Sequence, residues 1–172
     1  MDGGLKMINI IKINHRDVSL EQLIEICQLK TFSWQYPIES QLEWIRKNIS
    51  DQDIHVLLYE HNKLEAYLNL ISIVLEIDNR KVNGFGIGNV CSRNKGQGFG
   101  RKLMTDIGSF LSNKNRIGLL FCNSGLTSFY SKFNWTIVDK SRLLLQIDNE
   151  NFETMIYGCE KYFLIKYMGN QF

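Results

Sequence analysis

Val90-Cys91-Ser92-Arg93-Asn94-Lys95-Gly96-Gln97-Gly98-Phe99-Gly100-Arg101-Lys102-Leu103-Met104 carries three glycines at alternate positions between basic residues. An extended, glycine-dotted segment precedes it. After it, Leu103, Met104, Ile107, Phe110 and Leu111 fall at the spacing of one helical face. The order is therefore strand, glycine-rich turn, helix. Glycines let backbone N–H groups approach a ligand with no Cβ in the way. The helix start adds unpaired N–H groups and the positive end of a dipole. Together these are the parts of an anion site for a phosphate or pyrophosphate. The same string also suits a purely structural turn. It is not a P-loop, because no Gly-Lys-Ser/Thr follows at the required spacing. Neither this run nor Gly84-Phe85-Gly86-Ile87-Gly88 has the Gly-x-Gly-x-x-Gly order of a dinucleotide fingerprint.

The stretch resembles the acyl-CoA pyrophosphate loop of the GNAT superfamily of N-acetyltransferases. That loop reads Arg/Gln-x-x-Gly-x-Gly/Ala and is introduced by a strand ending in Val. Val90 matches the strand end and Lys95-Gly96-Gln97-Gly98-Phe99-Gly100 the loop, with Lys95 in place of Arg/Gln. A second segment resembles the same family. Its members often carry an Asn at the end of the next strand, then a Leu/Phe-Tyr pair and Glu-Lys-x-Gly-Phe. Here Asn123-Ser124-Gly125-Leu126-Thr127-Ser128-Phe129-Tyr130-Ser131-Lys132-Phe133-Asn134-Trp135 keeps the Asn-to-Tyr spacing. Asn134-Trp135 replaces Gly-Phe; Asn also visits the left-handed conformation at helix ends. The second half of the chain carries the resemblance by motif, the first half by layout.

The resemblance implies acetyl-CoA as co-substrate. Lys95, Gly96, Gln97, Gly98, Phe99, Gly100 and Arg101 would hold the pyrophosphate and Asn123 the pantetheine arm. A backbone N–H near Val90 or Cys91 would meet the acyl oxygen as charge develops there. Tyr130 would protonate the departing thiolate, as a phenol with an ordinary pKa near ~10 can at neutral pH. By spacing alone, Leu126, Phe129, Tyr130 and Phe133 share a helical face and Tyr130 reads as a core tyrosine. Asn123 reads equally as a helix cap.

A chain of 172 residues, 44% of them hydrophobic, has enough apolar material for one globular domain spanning 1–172. The net charge of +2 gives no push toward nucleic acid or an anionic membrane. The longest apolar runs are far short of a membrane span, and Met1-Asp2-Gly3-Gly4 begins no signal peptide. Cys27, Cys91, Cys122 and Cys159 form no Cys-x-x-Cys pair, which points to a reduced cytoplasm. Cys91 and Cys122 sit in strand-like surroundings, where free cysteine behaves as a small hydrophobe.

Met7 to Ile13 alternates apolar and polar residues and predicts a first strand. Ser19-Leu20-Glu21-Gln22 reads as a capping box opening a helix to Leu29 or Lys30. A turn, Thr31 to Pro37, leads to a second helix near Glu39 to Ile49. Strands follow over Ile54 to Tyr59, Leu64 to Ile77 and Lys81 to Val90, joined at Glu60-His61-Asn62-Lys63 and Asp78-Asn79-Arg80. Ile117 to Cys122 reads as a buried parallel strand. A short helix over Gly125 to Phe133 and strands over Trp135 to Val138, Leu143 to Ile147 and Tyr162 to Tyr167 complete the order. Composition supports an α/β or α+β single domain. The resemblance implies the GNAT fold: a mixed, mostly antiparallel splayed sheet of about seven strands flanked by helices.

The family's other needs leave weaker marks. Some relatives use a Glu on the strand matching Lys81 to Val90, and this chain has no carboxylate there. Glu65, Glu76 and Asp78 stand nearby as alternatives, each more simply read as a solvated surface charge. Cys91 has no His or Asp beside it in sequence, so a covalent cysteine route is disfavoured. His15, His55 and His61 are scattered, and His55 and His61 read as surface residues. No His/Cys/Asp cluster has metal-ligand spacing, so no metal is expected. Phe32, Trp34 and Tyr36 fall where the family's acceptor site lies, either stacking on a substrate or plugging the corner between two helices.

The expected function is therefore transfer of an acetyl (acyl) group from acetyl-CoA to a primary amine of a small molecule or peptide, in a monomer or homodimer without nucleic-acid or membrane partners. A non-catalytic acyl-CoA-binding module is the alternative, and a nucleotide-binding α/β domain a weaker third.

Overall fold

The computed structural model describes residues 7–148 and 150–172; the Met1-Asp2-Gly3-Gly4 start lies outside them. The chain forms two compact units, Met1–Leu70 with Asn89–Leu103, and Ile71–Gly88 with Met104–Phe172.

In the first unit, β1 (Ile8–Asn14) runs antiparallel to β2 (Ile54–Glu60), from Ile8 opposite Glu60 to Asn14 opposite Ile54. β2 continues into β3 (Lys63–Ile77) through His61 and Asn62, both at positive φ (49° and 61°), the conformation of a two-residue hairpin turn. Helix α1 (Leu20–Lys30) opens on the expected capping box: Gln22 N–H donates to Ser19 Oγ at 3.2 Å and Ser19 N–H to Gln22 Oε1 at 3.0 Å. Helix α2 (Ile38–Asn48) starts directly after Pro37. Ile26 and Leu29 of α1 pack with Leu57, Leu64, Tyr67 and Cys91 in one core.

In the second unit, β3 turns into β4 (Arg80–Ser92) at Asp78 and Asn79, again both at positive φ. The Asp78 carboxylate accepts from the Phe163 and Leu164 N–H groups, both at 2.8 Å, tying the turn to the C-terminal segment. β4 pairs in parallel with β5 (Ile117–Cys122), Gly84 to Ile87 opposite Ile117 to Leu120. Helix α3 (Phe99–Asn113) precedes β5, and a 3-10 turn (Ser124–Leu126) with helix α4 (Thr127–Ser131) follows it. The later strands are β6 (Thr136–Ile137), β7 (Leu143–Leu145), β8 (Glu153–Tyr157) and β9 (Ile165–Tyr167). β8 pairs antiparallel with both β5 and β6, while β9 pairs with β3 and, in parallel, with β7. Asn134, standing where the family motif has Gly, adopts φ 63°.

The described sheet is mixed and mostly antiparallel, with nine strands where the sequence pattern marks eight and the family resemblance implies about seven. The principal addition is β8. Its central residues Thr154, Met155 and Ile156 are all buried, so it has no apolar/polar alternation to reveal it. Trp135 to Val138, Leu143 to Ile147 and Tyr162 to Tyr167 shorten to β6, β7 and β9.

Candidate functional site

β4 ends at Ser92 and α3 begins at Phe99, leaving a short glycine-rich connection. Gly96 and Gly98 have φ of 84° and 81°, a conformation that L side chains rarely adopt. A Cβ at either would meet nothing within 4 Å, so open space faces both glycines. Lys95, Gln97 and Arg101 are exposed beside them, whereas Phe99 is 5% exposed and plugs the helix into the core. Gly100 lies in the first turn of α3, where Lys102 N–H donates to the Gly98 carbonyl at 3.1 Å. N–H groups turned by left-handed glycines at a helix start form a concave anion cradle.

The entry to this loop is fastened. Arg93 N–H donates to the Glu65 carbonyl at 2.8 Å, and its guanidinium reaches the Leu64 carbonyl at 3.3 and 3.4 Å while lying 4.8 Å from the Phe32 ring centroid. Upstream, Asn89 has φ 54° within β4, which turns the strand just before Val90 and Cys91. Its Nδ2 donates to Asn69 Oδ1 at 3.1 Å. Val90 is half-buried and Cys91 buried, and burial pushes the Cys91 thiol up to about 12. A thiol so shifted is not a nucleophile at neutral pH.

Tyr130 lies on α4, 6% exposed and edge-on to Phe129 at 5.1 Å. Burial first, then the nearby Cys122, raises its phenol well above the ordinary value. Its hydroxyl has no hydrogen-bond partner among the described residues. Such a group stays protonated through the neutral range and has a proton to donate. Asn123 is exposed at the end of β5; it occupies the cap position of the 3-10 turn but makes no side-chain cap hydrogen bond.

A cavity of about 410 Å³ is lined by Lys30, Trp34, Tyr36, Ser40, Gln41, Trp44 and Asn89. It gathers two of the three aromatics singled out from the sequence; Phe32 instead lies against Arg93. Lys30, Gln41 and Trp44 went unnoticed. Lys30 looks like an ordinary helix-terminal cation, yet it is 7% exposed, and burial lowers its pKa below the usual lysine range. Trp44 has one sequence signal, its place on α2 two turns after Tyr36-Pro37.

Two readings of charge are corrected. His55, expected at the surface, is fully buried, because β2 is covered on both faces from His55 to Leu58. It joins His15 Nδ1 at 2.9 Å and the Tyr67 hydroxyl at 2.7 Å. Glu65, expected as a solvated charge, is 6% exposed and pairs with Lys63 at 3.0 Å, with Arg93 Nε at 3.9 Å. Glu76 pairs with Lys166 at 2.5 Å. No group of three or more His, Cys, Asp or Glu among the described residues is placed to hold a metal ion, and no described helix is long and apolar enough to cross a membrane.

No protein-family model matches the sequence, and no curated protein matches it in sequence. Solved structures do match. An acyl-CoA N-acyltransferase from Pseudomonas aeruginosa is 19% identical with a TM-score of 0.65, covering 88% of this chain and 99% of that one. An N-acetyltransferase from Lactobacillus plantarum, itself assigned provisionally, is 19% identical with a TM-score of 0.61, covering 91% and 99%. The Bacillus subtilis N-acetyltransferase YlbP, in complex with coenzyme A, is 17% identical with a TM-score of 0.58, covering 88% and 96%. These likenesses establish the fold. The chain has the fold of the GNAT acyl-CoA N-acyltransferases.

Proposed function

We propose that the chain is an acyl-CoA-dependent N-acyltransferase, moving an acetyl group from acetyl-CoA to a primary amine by direct attack. The observation that carries this reading is the loop: Gly96 and Gly98 hold left-handed backbone, face open space and lead into α3, in a chain with the acyltransferase fold. That no Cβ fills the cradle supports a pyrophosphate there. Gly96 to Gly100 would offer backbone N–H groups, with Lys95, Gln97 and Arg101 at its rim.

The remaining roles follow the chemistry of the bonds. Backbone N–H groups of Val90 and Cys91, behind the kink at Asn89, would stabilise charge on the acyl oxygen. Asn123, with no cap bond to keep it, is free to bond the pantetheine arm. As the amine nitrogen bonds to the acyl carbon and the C–S bond breaks, Tyr130 would give its proton to the leaving sulfur. Proton loss from the acceptor ammonium balances that step.

One observation favours the other reading, a non-catalytic acyl-CoA-binding module. Glu65, Glu76 and Asp78, the carboxylates nearest in sequence to a base position, are all engaged by partners. Release of free thiol from acetyl-CoA across an amine panel separates the two. Amine-dependent release supports transfer. Coenzyme binding without release on any amine leaves the binding module.

A further inference from the structure

The cavity beside α1 and α2 holds a buried cation without an anion. Lys30 is the one charged residue among its described lining. Lys47, Lys63 and Lys166 each have a carboxylate within 3.0 Å, although all three are more exposed than Lys30. Lys30 Nζ has no carboxylate or hydrogen-bond acceptor among the described residues; the Trp44 ring centroid lies 5.4 Å away. The groups around it offer no charge in return. Burial raises the pKa of the Cys27 thiol and takes that of Cys91 to about 12, so both are neutral. His55, which burial lowers to about 4, is neutral as well.

A buried ammonium with no counter-ion is costly, and a cation–π contact offsets only part of that. An anion brought by a ligand would complete the site, with a charge-assisted hydrogen bond in a poorly solvated place. The rest of the wall is aromatic: Trp34, Tyr36 and Trp44. Gln41 is 4% exposed; its Nε2 is committed to the Tyr36 carbonyl at 2.9 Å, and its Oε1 is buried with no donor. The volume, about 410 Å³, is that of a small-molecule site. A polycationic amine finds no carboxylate on this wall and one positive charge against it.

We propose that this cavity takes the acceptor as an amine bearing a carboxylate and a flat apolar body, the class of an aromatic amino acid, with the carboxylate on Lys30 Nζ and the ring among Trp34, Tyr36 and Trp44. The assignment of the ligand as acceptor rests on the acyltransferase reading; the binding chemistry does not. The test is therefore binding first, by calorimetry and tryptophan fluorescence with 3-phenylpropionate and its uncharged isostere 3-phenylpropanamide. The acid is expected to bind roughly tenfold to a hundredfold tighter than the amide, the range of a hydrogen bond to a charged group. Lys30→Met should erase that preference, and Trp34→Ala, at a partly exposed position, should weaken both ligands alike. Equal binding of acid and amide by the wild type, or a preference that survives in Lys30→Met, overturns the proposal. In turnover, L-phenylalanine should exceed L-phenylalaninamide and spermine. A chain that prefers the acid but never releases thiol refutes the acyltransferase reading and leaves the carboxylate site standing.

Discussion

His55 and Tyr67 share a hydrogen bond of 2.7 Å in the core of the first unit, neither residue more than 1% exposed. The bond needs no charge on the imidazole, and burial, followed by His15 and Lys30, lowers the His55 pKa to about 4. An unfolded histidine titrates near ~6.5. Between those values the unfolded chain takes up a proton that the folded chain refuses. Stability is therefore kept above about pH 6.5 and falls as pH drops toward 4, by on the order of 3 kcal/mol from this group alone. Urea unfolding across that window should show the loss. His55→Phe, though less stable at pH 7.5 through the orphaned Tyr67 hydroxyl, should show a shallower slope; an unchanged slope would rule out His55 as its source.

Gly98→Val places a branched side chain at φ 81° in the space that faces the loop. The fold should survive with a strain of about 1–3 kcal/mol, since no protein atom is struck. Acetyl-CoA affinity should fall sharply in calorimetry. A folded variant that binds the coenzyme as before removes the loop from the site.

Tyr130→Phe keeps the ring against Phe129 and removes a hydroxyl that has no described partner. Melting temperature and coenzyme affinity should hold. On an accepted amine, kcat should fall roughly 10²–10⁴-fold, the usual worth of a placed proton donor. Turnover at the wild-type rate would show that water or the thiolate handles the proton.

Gly118→Ala tests the second unit. A Cβ there would stand 2.5 Å from Trp135 Cη2 and 2.8 Å from Leu111 Cδ1, with both partners buried. Overpacking of this kind costs about 1–3 kcal/mol, so a lower melting temperature is expected. An unchanged one would mean that Trp135 is loosely held.

Signals that live within a few residues were legible in the sequence. The Ser19–Gln22 capping box, the glycine loop and the apolar stripe of α3 are local, and each formed where its spacing placed it. Asn134 took the left-handed conformation that its place in the motif required. Signals created by tertiary burial were not legible. His55 alternates with apolar neighbours just as a surface residue would, and only the covering of both faces of β2 buries it. Lys30 sits where a helix dipole welcomes any cation, and nothing local says that water is excluded there. β8 is covered throughout its middle, so its period vanished.

The Phe32 ring has a reach beyond its own position. It supports Arg93, and Arg93 is bound through both its main chain and its guanidinium to the Glu65 and Leu64 carbonyls. If the glycines take the coenzyme as proposed, the segment they order is already moored at one end, and the entropy lost on capture, about 1–2 kcal/mol for each residue fixed, would be confined to the few positions after Asn94. Under the proposed function, an exposed aromatic outside the glycine loop would in this way influence how long a coenzyme stays, by setting how much slack the loop has when it lets go.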